Sequence, residues 1–259
     1  MKHVIFGDIH GKSLKPLEEV IQSFKEKVNL ICLGDFDDTA SMLETKDLME
    51  EYGGLAVPGN HDYMLYRKFV NFESGTFCHG KNAYSYAIKL HNDPIALDYI
   101  QRLLYGNKEQ SPAALLEEQV KLLGIYSDWG IRRNIPNTVI VHGGLYGDLR
   151  SMKDADNHEK KMWYRLYDKG VLFDEHAENN FTIMRNLDCN IMIRGHDHVQ
   201  AYVYKREDGS INISADRKAV FNLLPRRMHI INPGDYFSGY YAIINTDCRM
   251  PQLSFHKLR

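Results

Sequence analysis

Residues 3–11 read HVIFGDIHG, an apolar run that ends in a glycine-rich loop carrying an aspartate and a histidine. Apolar residues at helical spacing follow over 14–24. The segment 28–35, VNLICLGD, repeats the first pattern, and a third apolar run ends in PGNHD at 58–62. This repetition of strand, polar loop and helix predicts βαβ units on a largely parallel sheet.

The same pattern returns twice in the second half of the chain. Residues 138–144 read TVIVHGG, and residues 191–198 read IMIRGHDH. Short alternating runs separated by turn residues then extend over 199–244. These later runs are typical of antiparallel strands joined by hairpins.

Residues 63–137 break this alternation. They include several glycines and prolines, and helical patterns over 95–104 and 112–123. We expect a helical, cap-like insertion within a single domain that spans 1–259. Aromatic residues of this segment could stack a nucleobase near a phosphate site, but core packing is the favoured interpretation; they are Tyr63, Tyr66, Phe69, Phe72, Tyr84 and Tyr86.

The composition excludes several classes of protein. The formal net charge of −2 over 259 residues lacks the excess of basic groups that a dedicated nucleic-acid binder needs. No run approaches the ~18 consecutive apolar residues of a membrane-spanning helix, so no membrane partner is expected. The four cysteines are scattered without CxxC spacing, and the first residues do not resemble a signal peptide. We therefore expect a reduced, cytoplasmic protein.

All five predicted strand ends carry side chains that can bind a metal ion. Ligands bind outside the carboxyl ends of the strands in open α/β sheets, so neighbouring strands would direct all five loops into one crevice. Carboxylates, imidazoles and one amide oxygen suit divalent manganese, iron, zinc, cobalt or nickel, and the thiolates of a structural zinc site are missing. The candidates are Asp8, His10, Asp35, Asn60, His61, His142, His196 and His198.

In their order along the chain, these loops resemble the five motifs of the calcineurin-like metallophosphoesterases. The resemblance covers residues 7–198 and implies a four-layer α/β/β/α sandwich, here with the helical insertion between the third and fourth motifs. It also implies two divalent metal ions, and manganese is the favoured element. One ion would be held by Asp8, His10 and His198, the other by Asn60, His142 and His196, and Asp35 would bridge them.

The resemblance implies hydrolysis of a phosphate ester by a hydroxide that bridges the two metals. His61 directly follows a ligand, which suits protonation of the leaving oxygen. Asp62 either orients the His61 imidazole or acts as an acid at a helix N-terminus.

The motifs depart from those of the protein Ser/Thr phosphatase branch in one respect. Thr39, Ala40 and Pro58 stand where that branch has Arg-Gly and a second Arg, so both arginines that grip a phosphate monoester are missing. Arg165, in a segment that resembles a Trp-x-Arg motif, is the candidate replacement, with a surface position as the alternative. Arg194 either reaches the cleft or belongs to a strand, and the pair at 226–227 is interpreted as a solvated face.

The sequence therefore predicts a dinuclear metal-dependent phosphoesterase that acts on phosphate monoesters or nucleotide phosphoanhydrides. A small phosphorylated molecule or nucleotide is the expected substrate, and a protein Ser/Thr phosphatase is an alternative. A phosphodiesterase or nuclease is the other alternative, although nucleic acid usually requires more positive charge. A non-catalytic scaffold would be expected to lose ligands, whereas all seven metal positions and His61 are filled.

Overall fold

The computed structural model describes residues 1–73, 88–105, 138–147, 162–168, 171–172 and 174–258. The helices are α1 (Lys15–Gln22), α2 (Thr39–Tyr52), α3 (Asn60–Glu73), α4 (Pro94–Tyr105) and α5 (Asp174–Asn186), with a 3₁₀ turn at Tyr236–Ser238. The strands are β1 (Lys2–Phe6), β2 (Val28–Cys32), β3 (Gly54–Ala56), β4 (Thr138–Ile140), β5 (Tyr167–Asp168), β6 (Val171–Leu172), β7 (Ile191–Ile193), β8 (Gln200–Lys205), β9 (Ile211–Ser214), β10 (Val220–Asn222), β11 (Met228–Pro233), β12 (Tyr240–Asn245) and β13 (Gln252–Lys257).

Two mixed sheets form the centre of the fold. The first has the strand order β10-β13-β12-β1-β2-β3, and the second has the order β4-β7-β11-β8-β9. Strands β1, β2 and β3 are parallel, as the βα alternation predicts, and β4, β7 and β11 are parallel in the second sheet. The five motif loops therefore follow strands of two sheets instead of one, and the shared crevice lies where the ends of both sheets meet.

The packing of strand β1 explains why Val4, Ile5 and Phe6 are apolar in succession and do not alternate with polar residues. Val4 and Phe6 pack against the helices that cover the first sheet, whereas Ile5 packs against the second sheet. A strand buried on both faces selects apolar residues at every position. The other side of the second sheet is covered by α5 through Phe181 and Met184. The layers are thus α/β/β/α, which confirms the predicted sandwich.

Parts of the predicted insertion 63–137 lie in the described chain, and both are helical. Helix α3 begins at Asn60 itself, and α4 covers the predicted helix over 95–104. Tyr63, Tyr66 and Phe69 are buried in the core beneath these helices, as favoured from the sequence. The predicted helix over 112–123, Tyr84, Tyr86 and the side chain of Phe72 lie outside the described residues. A cap over the crevice therefore remains a prediction.

None of the helices in the described part of the chain has both the length and the apolar character that crossing a bilayer requires.

Candidate metal centre

The loops that form the crevice have an unusual backbone. Of the seven described non-glycine residues with positive φ, six lie here: Asp8, His10, Asp35, Asp37, His196 and His198, with φ between 49° and 67°. Aspartate and histidine are among the few residue types enriched in this left-handed region. The sharp turns that result project consecutive polar side chains into one crevice immediately after a strand.

Two glycines allow these loops to approach one another closely. A Cβ atom at Gly59 would lie 1.9 Å from Oδ1 of Asp35, and one at Gly195 would lie 2.8 Å from Oδ2 of Asp8. The absence of a Cβ atom at these two glycines therefore makes room for the carboxylates of the site itself.

One group of candidate ligands, which we name the outer cluster, consists of Asp8, His10 and His198. Their ligand atoms lie within 4.8 Å of one another. Nε2 of His10 is 3.2 Å from Nε2 of His198, and Oδ1 of Asp8 is 3.4 Å from the latter atom. The Asp8 side chain is buried, but that of His198 is 44% exposed.

A second group, the inner cluster, consists of Asp35, Asn60, His142 and His196. The ligand atoms of its acid and two histidines also lie within 4.8 Å of one another. Nε2 of His142 is 3.2 Å from Oδ2 of Asp35 and 2.9 Å from Oδ1 of Asn60. All four residues are at most 4% exposed. The seven ligands predicted from the sequence therefore lie in two adjacent groups.

Hydrogen bonds at the far side of two imidazole rings orient them as metal ligands. Nδ1 of His142 donates to the carbonyl of Leu33, and Nδ1 of His10 donates to Oδ2 of Asp37 at 2.7 Å. In both rings Nε2 is the atom that faces the cluster, which is the usual arrangement in metal sites. Metal–nitrogen bonds of about 2.0–2.1 Å at tetrahedral angles separate neighbouring ligand atoms by roughly 3.3 Å, close to the spacings found here. The donor set fits divalent cations.

Charges within the inner cluster shift the pKa values of its members. Burial opposes ionisation of both Asp35 and His142, but their mutual attraction outweighs it, lowering the pKa of Asp35 and raising that of His142 to about 9. Burial, followed by the charge of His142, holds the pKa of His196 well below its ordinary value. A cation bound between these groups would displace the proton from Nε2 of His142.

Asp37 is a site residue that the sequence interpretation did not assign. Its Oδ2 accepts from His10, and its Oδ1 accepts from Nδ1 of His61 at 2.6 Å. Burial opposes its ionisation, but these two hydrogen bonds lower the pKa of Asp37 well below its ordinary range. The hydrogen bond to Asp37 in turn raises the pKa of His61. In the sequence, the only indication of Asp37 is that a second acid stands two positions after Asp35.

The contacts of Asp62 contradict the first of its two alternative roles, orientation of the His61 ring. Its carboxylate accepts from the backbone N–H groups of Asp35, Phe36 and Gly59 at 2.8–2.9 Å. The carboxylate hydrogen-bonded to the His61 ring is that of Asp37, because Asp62 is occupied in joining two loops. Burial, and then the charge of Asp35, raises the pKa of Asp62 to about 7. Its place in the first turn of α3 matches the alternative interpretation.

The two candidate phosphate-binding arginines differ in their surroundings. Arg194 is fully buried and donates to Asp197 and to the carbonyls of Gly143 and Tyr164, so it joins three segments and does not reach the cleft. Arg165 is half-buried, and its charge contributes, after burial and His142, to the low pKa of His196. Arg165 therefore lies within electrostatic reach of the inner cluster.

Two aromatic side chains that the sequence interpretation did not assign to the site border the clusters. The ring of Trp163 lies edge-on to His196, with centroids 6.3 Å apart. The ring of Phe237 lies edge-on to His10 at 6.4 Å, and this residue is 58% exposed. Phe237 follows the Asn232-Pro233-Gly234 segment, but nothing local in the sequence distinguishes it from other surface aromatics.

Comparisons with known proteins agree with this architecture. A family model described as calcineurin-like phosphoesterase matches residues 1–200. The crystal structure of a metallophosphoesterase from Sphaerobacter thermophilus is similar in fold, with a TM-score of 0.58 and 20% sequence identity. That similarity covers 100% of this chain and 89% of the other. No curated protein matches the sequence significantly.

Proposed function

The chain belongs to the calcineurin-like phosphoesterase family of metal-dependent phosphoric ester hydrolases, and we propose that it is a dinuclear enzyme acting on small phosphorylated molecules. The proposed substrates are phosphate monoesters or the phosphoanhydrides of nucleotides. A phosphodiesterase or nuclease and a protein Ser/Thr phosphatase are the alternatives to be tested against it.

The observation that carries the proposal is the contact between the two clusters through Asp8. Its Oδ1 is 3.4 Å from Nε2 of His198 in the outer cluster and 3.9 Å from Nε2 of His142 in the inner cluster. The outer cluster would hold one divalent ion, and Asn60, His142 and His196 would hold the other. Asp35 lies with the inner histidines, and we propose it as the shared ligand from the resemblance to the family motifs. When bound, two such ions activate a water molecule and neutralise the phosphoryl oxygens.

We assign to His61 the protonation of the leaving oxygen. Its side chain is 38% exposed, and Asp37 holds its Nδ1, so that Nε2 is the ring atom left to meet a substrate. The neighbouring carboxylate favours the protonated ring that a general acid requires. Asp37 therefore acts as a positioning residue, and Asp62 supports the loops on which the ligands lie.

Substrate recognition is proposed to involve both sides of the crevice. Arg165 would contribute positive charge to the phosphoryl group near His196. The exposed ring of Phe237 would offer a face to an aromatic or nucleobase leaving group, a contact typically worth about 0.5–1.5 kcal/mol. This arrangement favours small aryl or nucleoside phosphates.

Two further assignments depend on chemistry that the ligand set alone does not select. Manganese is the proposed native metal, although imidazole–carboxylate sites accept several divalent ions. A cytoplasmic location is supported by the free thiols of Cys32, Cys189 and Cys248.

A panel of metals and substrates tests the proposal. The purified protein would be loaded separately with Mn, Fe, Zn, Co or Ni and assayed on p-nitrophenyl phosphate, bis-p-nitrophenyl phosphate, diadenosine tetraphosphate, a phosphoserine peptide and a single-stranded oligonucleotide. We expect turnover of the first and third substrates at two metal equivalents per chain. Turnover confined to the diester and oligonucleotide would indicate a phosphodiesterase, and turnover confined to the peptide a protein phosphatase. Full activity at one metal equivalent would contradict the dinuclear assignment.

A further inference from the structure

A cleft of about 360 Å³ lies at one end of the second sheet, between the end of α5, the start of β7, the β8–β9 hairpin and the residues before β11. Its basic lining residues are Arg185, Lys205, Arg206, Arg226 and Arg227. We propose that this cleft is a second binding site, for a small phosphorylated ligand, separate from the metal centre. The proposal does not depend on the function assigned to that centre.

Strand register places the cleft and the metal centre at opposite ends of the sheet. Met228 pairs with Lys205 at the cleft, whereas the far end of the same strand pair joins Pro233 to Gln200. Asn190, which lines the cleft, precedes β7, and the ligand His196 follows that strand. A six-residue strand spans roughly 17 Å, so one compact ligand does not occupy both sites.

The charge of the cleft is opposite to that of the chain as a whole. The lining has five basic and two acidic side chains, in a protein of formal net charge −2. Lys205 is paired with Glu178, and the lining as a whole has three more basic than acidic side chains. Guanidinium groups bind phosphate oxygens through paired, planar N–H donors, which favours a phosphorylated ligand over a simple anion.

Arg227 has the geometry of a donor held ready for a ligand. Its guanidinium lies over the ring of Tyr204 at 5.8 Å, and that ring stacks on Tyr202 with centroids 5.1 Å apart. Its Nε is buried and has no hydrogen-bond acceptor in the described structure. Because this atom is covered by the protein, the terminal N–H groups of the guanidinium are the donors left for an anion.

The size of the cleft restricts the ligand to a small molecule. Small-molecule sites commonly have volumes of about 300–1,000 Å³, and this cleft lies near the lower limit. Pro225 and Met228 add apolar surface to the lining, against which a compact organic group would pack. The Arg226-Arg227 pair, interpreted from the sequence as a solvated face, therefore includes one residue that is pre-organised for binding.

Equilibrium dialysis of the metal-loaded full chain against radiolabelled inorganic phosphate tests the proposal. We expect a class of bound phosphate whose affinity falls by at least about tenfold in the double variant Arg185→Ala/Arg226→Ala. Both residues are exposed, so the fold should tolerate the changes, and turnover of p-nitrophenyl phosphate should stay within twofold of the original. The control, Arg249→Ala, removes an equally exposed arginine elsewhere and should leave the affinity unchanged.

A further variant tests the geometry of the donors separately from their charge. Arg227→Lys keeps the charge but loses the planar pair of donors, so the affinity should fall while the melting temperature stays close to that of the original. The proposal is overturned if the double variant binds phosphate as the original does, or if Arg249→Ala weakens binding equally. Displacement of phosphate by an acidic peptide but not by AMP would overturn the assignment to a small ligand.

Discussion

The outer and inner clusters contain similar ligand types but are enclosed very differently. The inner residues are at most 4% exposed, whereas His198 of the outer cluster is 44% exposed and lies beside His10. Buried ligands favour retention of an ion, and exposed ligands favour contact with substrate. If the proposed dinuclear site is correct, the inner cluster would hold its cation persistently and the outer cluster would meet the reacting molecule.

The residues proposed to act on the leaving group also lie beside the outer cluster. The rings of His61 and Phe237 both lie next to that of His10, within 6.4 Å between centroids. The inner half is bordered instead by Trp163 and by backbone groups. Substitutions in the two clusters should therefore impair activity in different ways.

The largest loss of activity is expected from a substitution in the inner cluster. Asp35→Asn removes the buried charge that faces His142, so at least one metal ion and nearly all turnover should be lost. Metal analysis and kcat on p-nitrophenyl phosphate would be measured together, with the exposed Asp216→Asn as control. Two ions retained with full activity would exclude the role assigned to Asp35.

A substitution in the outer cluster tests the difference between the two clusters. His198→Gln should release the outer ion while the inner ion stays bound, because no inner ligand is altered. Metal content would be followed during dialysis against a chelator. Release of both ions at equal rates would remove the distinction between the halves.

A substitution of His61 distinguishes acid catalysis from metal binding. His61→Gln should leave the metal content unchanged and slow hydrolysis of alkyl or nucleoside esters by about 10²–10⁴-fold. Hydrolysis of p-nitrophenyl phosphate should fall much less, because its phenolate departs without a proton. The decisive measurement is kcat on one good and one poor leaving group from the same preparation. Equal losses on both would end the general-acid assignment.

A smaller effect is expected from the residue that links His10 to His61. Asp37→Asn removes a charged hydrogen-bond acceptor from both rings, and such changes typically cost 10–100-fold in metal affinity or activity. The loss should concern the outer ion, measured by titration of metal-depleted protein. Preferential loss of the inner ion would contradict the assignment of Asp37 to the outer half.

The smallest effect concerns substrate recognition. Phe237→Ala should raise KM for nucleoside or aryl phosphates by between about twofold and tenfold, with kcat nearly unchanged, because only stacking is removed. Glycerol phosphate, which offers no ring, serves as the internal control. A similar change in KM for glycerol phosphate would show that the ring acts on the fold or the metals instead.

The candidate ligands can be singled out from the sequence because each lies at the end of an apolar run or at the start of the following helix. The βα alternation does not reveal that β4 and β7 belong to a second sheet, because β11, which pairs with β7 and joins this pair to the rest of that sheet, comes much later in the chain. From the sequence, Asp62 is the partner considered for His61, and Asp37 is not assigned a role. The backbone turn at Asp35 and Asp37, with φ near 60°, decides between them, and that turn has no sequence signature.

Arg194 and Phe237 show a second reason why parts of the site are not predicted. In the sequence alone, Arg194 is a candidate phosphate ligand. In the structure, its donors are occupied by Asp197 and by the carbonyls of Gly143 and Tyr164. Phe237 reaches His10 because the turn before β12 is hydrogen-bonded to the loop after β1, more than 200 positions away. Contacts at such separations depend on tertiary packing and leave no local pattern.

The left-handed backbone at six residues of the centre has a thermodynamic consequence. A non-glycine residue in such a conformation costs on the order of 1–3 kcal/mol, and less for aspartate, so we expect the metal-free chain to melt at a lower temperature than the metal-loaded chain. Cations that bind only the folded state offset this loss by mass action. The strain held in these loops would therefore make the heat resistance of the protein depend on the supply of divalent cation.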